Sequence, residues 1–291
     1  MNFLENDYFK IAIASKGAEL KSIIDKKSGY EFLWQADVQI WGRISPILFP
    51  VVGKCFNNEL LINEKKYAMP QHGFARDMNF EVFKKTDTQI IFRLASTDET
   101  FLKYPFHFDL HLIYTLSESK IECGYEVINS GNETLYFSIG GHPGFNLPTK
   151  KLTDYFLEFD SDNYRDEDAE RFLLNDGLLN EKTETVLQNQ NVIELNKNLF
   201  EKDAIVFKNL SSKKINLKSK ITTFNIEMEF DGFPYFGIWS KKDCEDFICL
   251  EPWCGIAGSI GEQIPIEQKE GINSLLPNDK FEKKYSMTFY S

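Results

Sequence analysis

Residues 106–112 read FHFDLHL, with Phe106, Phe108, Leu110 and Leu112 in one register and His107, Asp109 and His111 in the other. Strict alternation puts apolar side chains on one face of an extended segment, so it predicts a strand with one buried face. The same period recurs at residues 9–14, 81–85, 90–94, 120–128, 214–218, 223–230 and 285–290. Turn-forming clusters separate the runs, among them Asn129-Ser130-Gly131-Asn132, Asp176-Gly177 and Asp231-Gly232. No long segment carries an apolar stripe at helical spacing, and short helices are expected only near residues 98–103 and 168–174. Residues 160–198, rich in Asn, Asp, Glu and Gln, read as a loop-heavy insertion or rim. Many short strands punctuated by turns predict an all-β antiparallel sandwich or barrel. No internal repeat or linker composition interrupts it, so a single domain over residues 1–291 is expected.

Composition supports a packed fold. Apolar residues make up 42% of the chain and aromatic ones 14%, enough for a core and for flat binding surfaces. A net charge of −11 and the lack of any basic run argue against a nucleic-acid partner. No stretch approaches the length of a membrane span, and the N-terminal MNFLENDYFK lacks the basic and apolar regions of a secretory signal. Five cysteines without a C-x-x-C pair, three of them recurring every fifth residue at 244, 249 and 254, match no usual zinc spacing. They read as reduced, part-buried thiols of a cytoplasmic protein.

Four stretches carry candidate chemistry. In SIGGHPGF, His142 follows Gly140 and Gly141 and precedes Pro143, which pushes it into an extended conformation. It either caps a carbonyl at a turn edge or presents an acid–base group to a ligand, with the glycines leaving room for close approach. In FICLEPWCG, Glu251 ends an apolar strand; a carboxylate there satisfies a nearby loop or works in a cleft, and we favour the cleft. In MPQHGFARD, His72 and Arg76 belong to a loop that is either ordinary or functional. In WGRISPILFPVVG, Arg43 opens an apolar run and either pairs with a carboxylate or binds an oxygen-rich ligand.

Other chemistry is disfavoured. His107 and His111 lie roughly 13 Å apart along a strand, too far to share one ion, so they read mainly as a polar sheet face. The chain contains no G-x-S-x-G elbow, no G-x-x-x-x-G-K-[ST] phosphate loop and no G-x-G-x-x-G.

Taken in order, Gly42-Arg43 with ILFPVVG, His72-Gly73-Phe74-Ala75-Arg76, Asn129-Ser130-Gly131, Gly141-His142-Pro143-Gly144-Phe145 and Glu251-Pro252-Trp253 resemble the aldose 1-epimerase (galactose mutarotase-like) family, most closely its LacX-type branch. The resemblance spans residues 12–289. It implies an antiparallel β-supersandwich with a carbohydrate cleft, and a cofactor-free enzyme that interconverts the anomers of a free sugar. By the same resemblance His142 is the general acid, Glu251 the general base, and His72 assists near the ring oxygen. Arg43 and, in EKDAIVF, Asp203 hold the sugar. One departure concerns the substrate: Ile44-Ser45-Pro46 stands where galactose mutarotases carry an Asn-Arg pair, which argues against galactose itself. The region is also similar to hexose-6-phosphate epimerases, for which Arg43 and Arg76 are the candidate phosphate ligands.

Anomer exchange needs a base for the C1 hydroxyl and an acid for the ring oxygen. A carboxylate and a protonated histidine meet both needs without a metal or cofactor. Trp253 and Phe74 are the expected platforms for the sugar's C–H face. A carbohydrate-binding protein that lost turnover is the competing reading. The expected partner in either case is a small-molecule hexose, phosphorylated or free.

Overall fold

Alternation along the chain becomes two packed layers of antiparallel strands. The computed structural model describes residues 1–160, 170–187, 190–261 and 263–290. A nine-stranded sheet runs in the order Val192–Glu194, Tyr155–Phe159, Lys214–Ser219, Asn225–Glu229, Lys280–Tyr290, Lys120–Asn129, Phe108–Ser117, Gln89–Ala95 and Glu81–Lys85. A second sheet runs Leu178–Thr185, Glu170–Asn175, Ile205–Lys208, Tyr235–Trp239, Phe247–Cys254, Ile139–Gly141 and Ile47–Leu48, with Gly144–Asn146 also paired to Phe247–Cys254. Aromatic side chains join the layers: Phe49 meets Phe108 at 5.1 Å and Phe159 meets Phe207 at 5.8 Å between ring centroids.

The two sheets differ in how they use their faces. In Lys120–Asn129 every second residue is buried, and the outer face carries charge pairs such as Lys284–Glu122. That is the pattern of an antiparallel sheet wetted on one side. In Phe247–Cys254 all eight residues are buried. Ile248, Leu250 and Cys254 enter the main core, while Phe247, Cys249 and Trp253 join separate apolar clusters. Ile205 and Phe207 likewise face the main core, whereas Val206 does not. Both faces of this sheet are therefore covered, one by the sandwich core and the other by the walls of a cleft.

Every alternating run in the sequence forms a strand, among them Phe9–Ile13, Glu81–Lys85 and Asn225–Glu229, and FHFDLHL enters its strand at Phe108. The helix expected near 98–103 is Asp98–Phe101, capped reciprocally by Thr97 and Thr100. Two expectations are corrected. Residues 170–174 belong to a strand, not a helix, and residues 168–169 lie outside the described residues. Phe172 and Leu174 pack against the same cluster at a spacing of two, and Asp176 (φ +50°) with Gly177 (φ +75°) forms a tight hairpin turn to Leu178–Thr185. The segment 160–198 is likewise more than loop, since it supplies three strands; residues 161–169 and 188–189 lie outside the described residues. No helix among the described residues is long and apolar enough to cross a membrane.

Candidate active site

Strand register brings His142 to Glu251. Gly140 pairs with Trp253 and Gly144 pairs with Cys249 in one continuous antiparallel register, which sets His142 opposite Glu251. Cross-strand partners share a face. Between these pairs the ladder is interrupted, because Pro143 and Pro252 lack N–H groups. His142 Nε2 lies 3.3 Å from Glu251 Oε2, with the imidazole 8% and the carboxylate residue 1% exposed. The preceding glycines make room for the protein's own rings. A Cβ at Gly140 would meet Trp253 Cδ1 at 2.5 Å, and one at Gly141 would meet the Tyr125 hydroxyl at 2.7 Å and the Tyr285 hydroxyl at 2.9 Å. This corrects the expectation that they leave space for a ligand.

His142 sits in an aromatic box. Trp41 stacks on it at 4.9 Å with rings 26° apart, and Trp239 and His72 meet it edgewise at 5.7 and 5.5 Å. His72 adopts a left-handed backbone (φ +65°), and its Nδ1 accepts a 3.1 Å hydrogen bond from the Gly53 N–H. Nδ1 is thus the acceptor, and a neutral His72 carries its proton on Nε2. Gly73 (φ +72°) follows, where a Cβ would lie 2.1 Å from the Phe49 carbonyl oxygen.

These side chains line a cleft of about 910 Å³ together with Arg43, Arg76, Asp203 and Trp253. That volume lies within the roughly 300–1,000 Å³ of small-molecule sites. Of the residues expected from the sequence, His72, His142, Glu251, Arg43, Arg76, Asp203 and Trp253 are brought together. Phe74 is not: it is 5% exposed and packs in the core near Tyr104 and Phe108. His107 and His111 are also absent from the cleft walls; His111 contacts Asp109 and Glu126 on the outer sheet face. Asn129 is structural, its side chain bonding the Gly131 N–H and the carbonyls of Glu133 and Leu275. Sequence reasoning passed over Trp41, Trp239, Asp77 and Lys241. Trp41 and Asp77 stand inside quoted motifs, but nothing in a linear pattern shows that one stacks on His142 and the other clamps Arg43.

Electrostatics set the resting protonation. Burial, then the nearby charge of Asp203, pushes Glu251 well above the carboxylate range; the Trp253 indole pulls weakly the other way without forming a well-aligned hydrogen bond. Burial lowers His142 to about 3, and Arg76 and Arg43 push in the same direction. His72 is held well below its ordinary value by burial, His142 and the same two arginines. Burial therefore favours a neutral imidazole beside a protonated carboxyl in the free site, rather than the imidazolium and carboxylate expected from the sequence. Arg43 forms a forked contact with Asp77 at 3.1 and 3.2 Å, and Arg76 Nε lies 3.9 Å from the same carboxylate. Burial and Arg43 lower Arg76 to about 10, so it stays cationic. Four buried polar atoms on residues lining this cleft have no hydrogen-bond partner: Arg76 Nε, His142 Nδ1, Glu251 Oε2 and Trp253 Nε1. Buried polar atoms are rarely left so, and these four are available to hydrogen-bond a polar group in the cleft.

Comparison with known proteins agrees with this architecture. The aldose 1-epimerase family model matches residues 3–262. The plasmid-encoded protein LacX of Lactococcus lactis subsp. lactis is 32% identical over 295 aligned residues, covering 98% of both chains. The crystal structure of a galactose mutarotase related enzyme from Lactobacillus acidophilus superposes with a TM-score of 0.94 at 34% identity, covering 100% of this chain and 97% of that one. A galactose mutarotase-like protein from Lactobacillus casei superposes with a TM-score of 0.93 at 30% identity over the whole of both chains.

Proposed function

The chain belongs to the aldose 1-epimerase family, and we propose that it is a mutarotase-type isomerase that interconverts the α and β anomers of a hexose by acid–base ring opening. The observation that carries this reading is the 3.3 Å approach of His142 Nε2 to Glu251 Oε2 on the wall of a sugar-sized cleft. Glu251 is the base for the C1 hydroxyl, and His142 is the acid for the ring oxygen. His72, its Nδ1 occupied by the Gly53 N–H, donates from Nε2 near that oxygen. Asp203, Arg43 and Arg76 hold hydroxyls, and Trp253 packs against the C–H face.

The shared proton makes the roles consistent. In the free cleft it rests on Glu251; its passage to His142 leaves a carboxylate and an imidazolium. Ring opening then moves the C1 hydroxyl proton to Glu251 and the imidazolium proton to the ring oxygen, returning the pair to its resting state. Rotation about C1–C2 and the reverse transfers close the ring on the other face. The pair holds one proton throughout, so no outside donor is required.

The test is anomer exchange, followed by polarimetry or exchange NMR on a panel of free and phosphorylated hexoses. His142→Asn and Glu251→Gln are expected to lose about 10²–10⁴ in rate while still binding sugar. A wild-type protein that binds sugar without accelerating exchange would overturn the reading in favour of a carbohydrate-binding protein. A second reading, in which Arg43 and Arg76 hold a phosphate instead of hydroxyls, is favoured by a specific observation: the two guanidiniums at the cleft share the Asp77 carboxylate, with Glu19 the other acid acting on Arg76. Galactose is disfavoured because Ile44 and Ser45, standing where an Asn-Arg pair is expected, are buried with their N–H groups bonded to Glu19 Oε1.

A further inference from the structure

The acid–base mechanism leaves one buried nucleophile beside the pair unused. Cys249 lies two residues before Glu251 on the same strand and so shares its face. It is fully buried, it pairs in register with Gly144, and a Cβ on that glycine would lie 3.4 Å from its Sγ. One donor atom each from His142, Cys249 and Glu251 lies within 4.8 Å of the other two, the one such trio among the described residues. Glu251 Oε2, 1% exposed as a residue, has no aligned hydrogen-bond partner, so taking up a ligand breaks no existing bond to that atom.

We propose that His142, Cys249 and Glu251 form a binding site for a borderline-soft divalent cation of the Zn²⁺ class, and that the bound ion blocks proton exchange between His142 and Glu251. The donor set decides the class. Thiolate, imidazole and carboxylate together suit zinc, whereas magnesium and calcium take oxygen ligands. Zinc bonds of about 2.0–2.3 Å require the trio to close by roughly an ångström, a side-chain adjustment. Three protein ligands leave a fourth position, and two of the three residues line the cleft from which the ion enters. Coordination releases the thiol proton and the proton held by the pair to solvent, so the three neutral groups become two anionic ligands and one neutral ligand around the dication. The site is distinct from any pattern legible in the cysteine spacing, because only Cys249 of the five contributes.

The full chain titrated with cobalt chloride is expected to develop a thiolate-to-cobalt charge-transfer band at one equivalent, which zinc sulfate then bleaches. Cys249→Ser is expected to abolish the band and to weaken zinc binding, measured against a chromophoric chelator, by about 100-fold or more, a direct ligand counting for at least as much as the outer partners whose loss costs about 10–100-fold. Cys249→Ala gives the same result and covers the case in which the serine variant misfolds. Cys244→Ser, a nearby thiol outside the trio, keeps the band. A wild-type cobalt complex without the band, a band lost in Cys244→Ser, or unchanged zinc affinity in both Cys249 variants would overturn the proposal. The spectrum does not depend on turnover, so these outcomes are independent of whether the mutarotase reading holds. Where exchange is measured, zinc inhibits the wild type and spares Cys249→Ser.

Discussion

At the scale of single residues, the site is built at a cost to the fold. Glu251 keeps its proton far above its ordinary value of 4.5, so the unfolded chain releases that proton at a lower pH than the native protein does. The sign follows: native stability is fullest below about 4.5 and declines as pH rises toward the raised value. His142 acts on the other side. With its value lowered from 6.5 to about 3, it costs stability as pH falls through that window. Glu251→Gln is therefore expected to melt at a higher temperature than wild type, by a margin that widens as pH rises above about 4.5, while losing turnover. A margin that stays flat or shrinks with pH in thermal melts would contradict the assignment of the resting proton. That His142 and Glu251 would meet in the cleft was expected from a histidine before proline and a carboxylate following an apolar run, whereas His72 was drawn in only by the family resemblance; Glu251 in fact lies within its strand, not at its end. Their protonation was not legible, because it depends on burial and on Asp203, Arg43 and Arg76 converging from elsewhere in the chain.

At the scale of elements, the strands Ile139–Gly141 and Gly144–Asn146, both paired to Phe247–Cys254, do the positioning. Their register holds on both sides of the gap, while Pro143 and Pro252 remove donors where the two catalytic candidates face each other. Gly140 is fixed by the Trp253 ring, which an alanine there would strike at 2.5 Å. We expect Gly140→Ala to destabilise the protein by about 1–3 kcal/mol, read from urea unfolding, as the ring is forced off its seat. Gly42→Ala is the control: it lines the same cleft, yet its Cβ would meet only Val38 at 3.6 Å, and a change within about 0.5 kcal/mol is expected. Equal effects would mean that the Trp253 seat is not rigid. Period-two patterning revealed the nine-stranded sheet well because one of its faces is wet. It revealed the cleft-bearing sheet poorly, because strands covered on both faces, such as Phe247–Cys254, lose their alternation. The strands at 170–175 and 178–185 were hidden for the opposite reason: too few apolar positions mark either face.

At the scale of the whole molecule, average charge conceals a local reversal. A net charge of −11 argues against a nucleic-acid partner, yet it says nothing of the cleft. There Lys16, Lys21, Arg43, Arg76 and Lys241 outnumber Glu19, Asp77, Asp203 and Glu251, the last held well above the carboxylate range by burial. Cations in a concave, partly desolvated wall focus the potential and draw in an anion despite the acidic exterior. If the substrate is a phosphorylated hexose, kcat/KM for it falls as added salt shortens the Debye length from about 30 to about 8 Å, while kcat/KM for the free hexose barely changes. Arg43→Met should raise KM for the phosphorylated sugar about tenfold and flatten that salt dependence, the free sugar again being nearly indifferent. Because Arg43 also holds Asp77, Asp77→Asn separates the two roles: releasing both guanidiniums should tighten the phosphorylated sugar if they serve the phosphate, and weaken both sugars alike if the clamp only shapes the loop. Equal salt responses of the two sugars would assign the arginines to hydroxyl binding and leave the free hexose as the substrate.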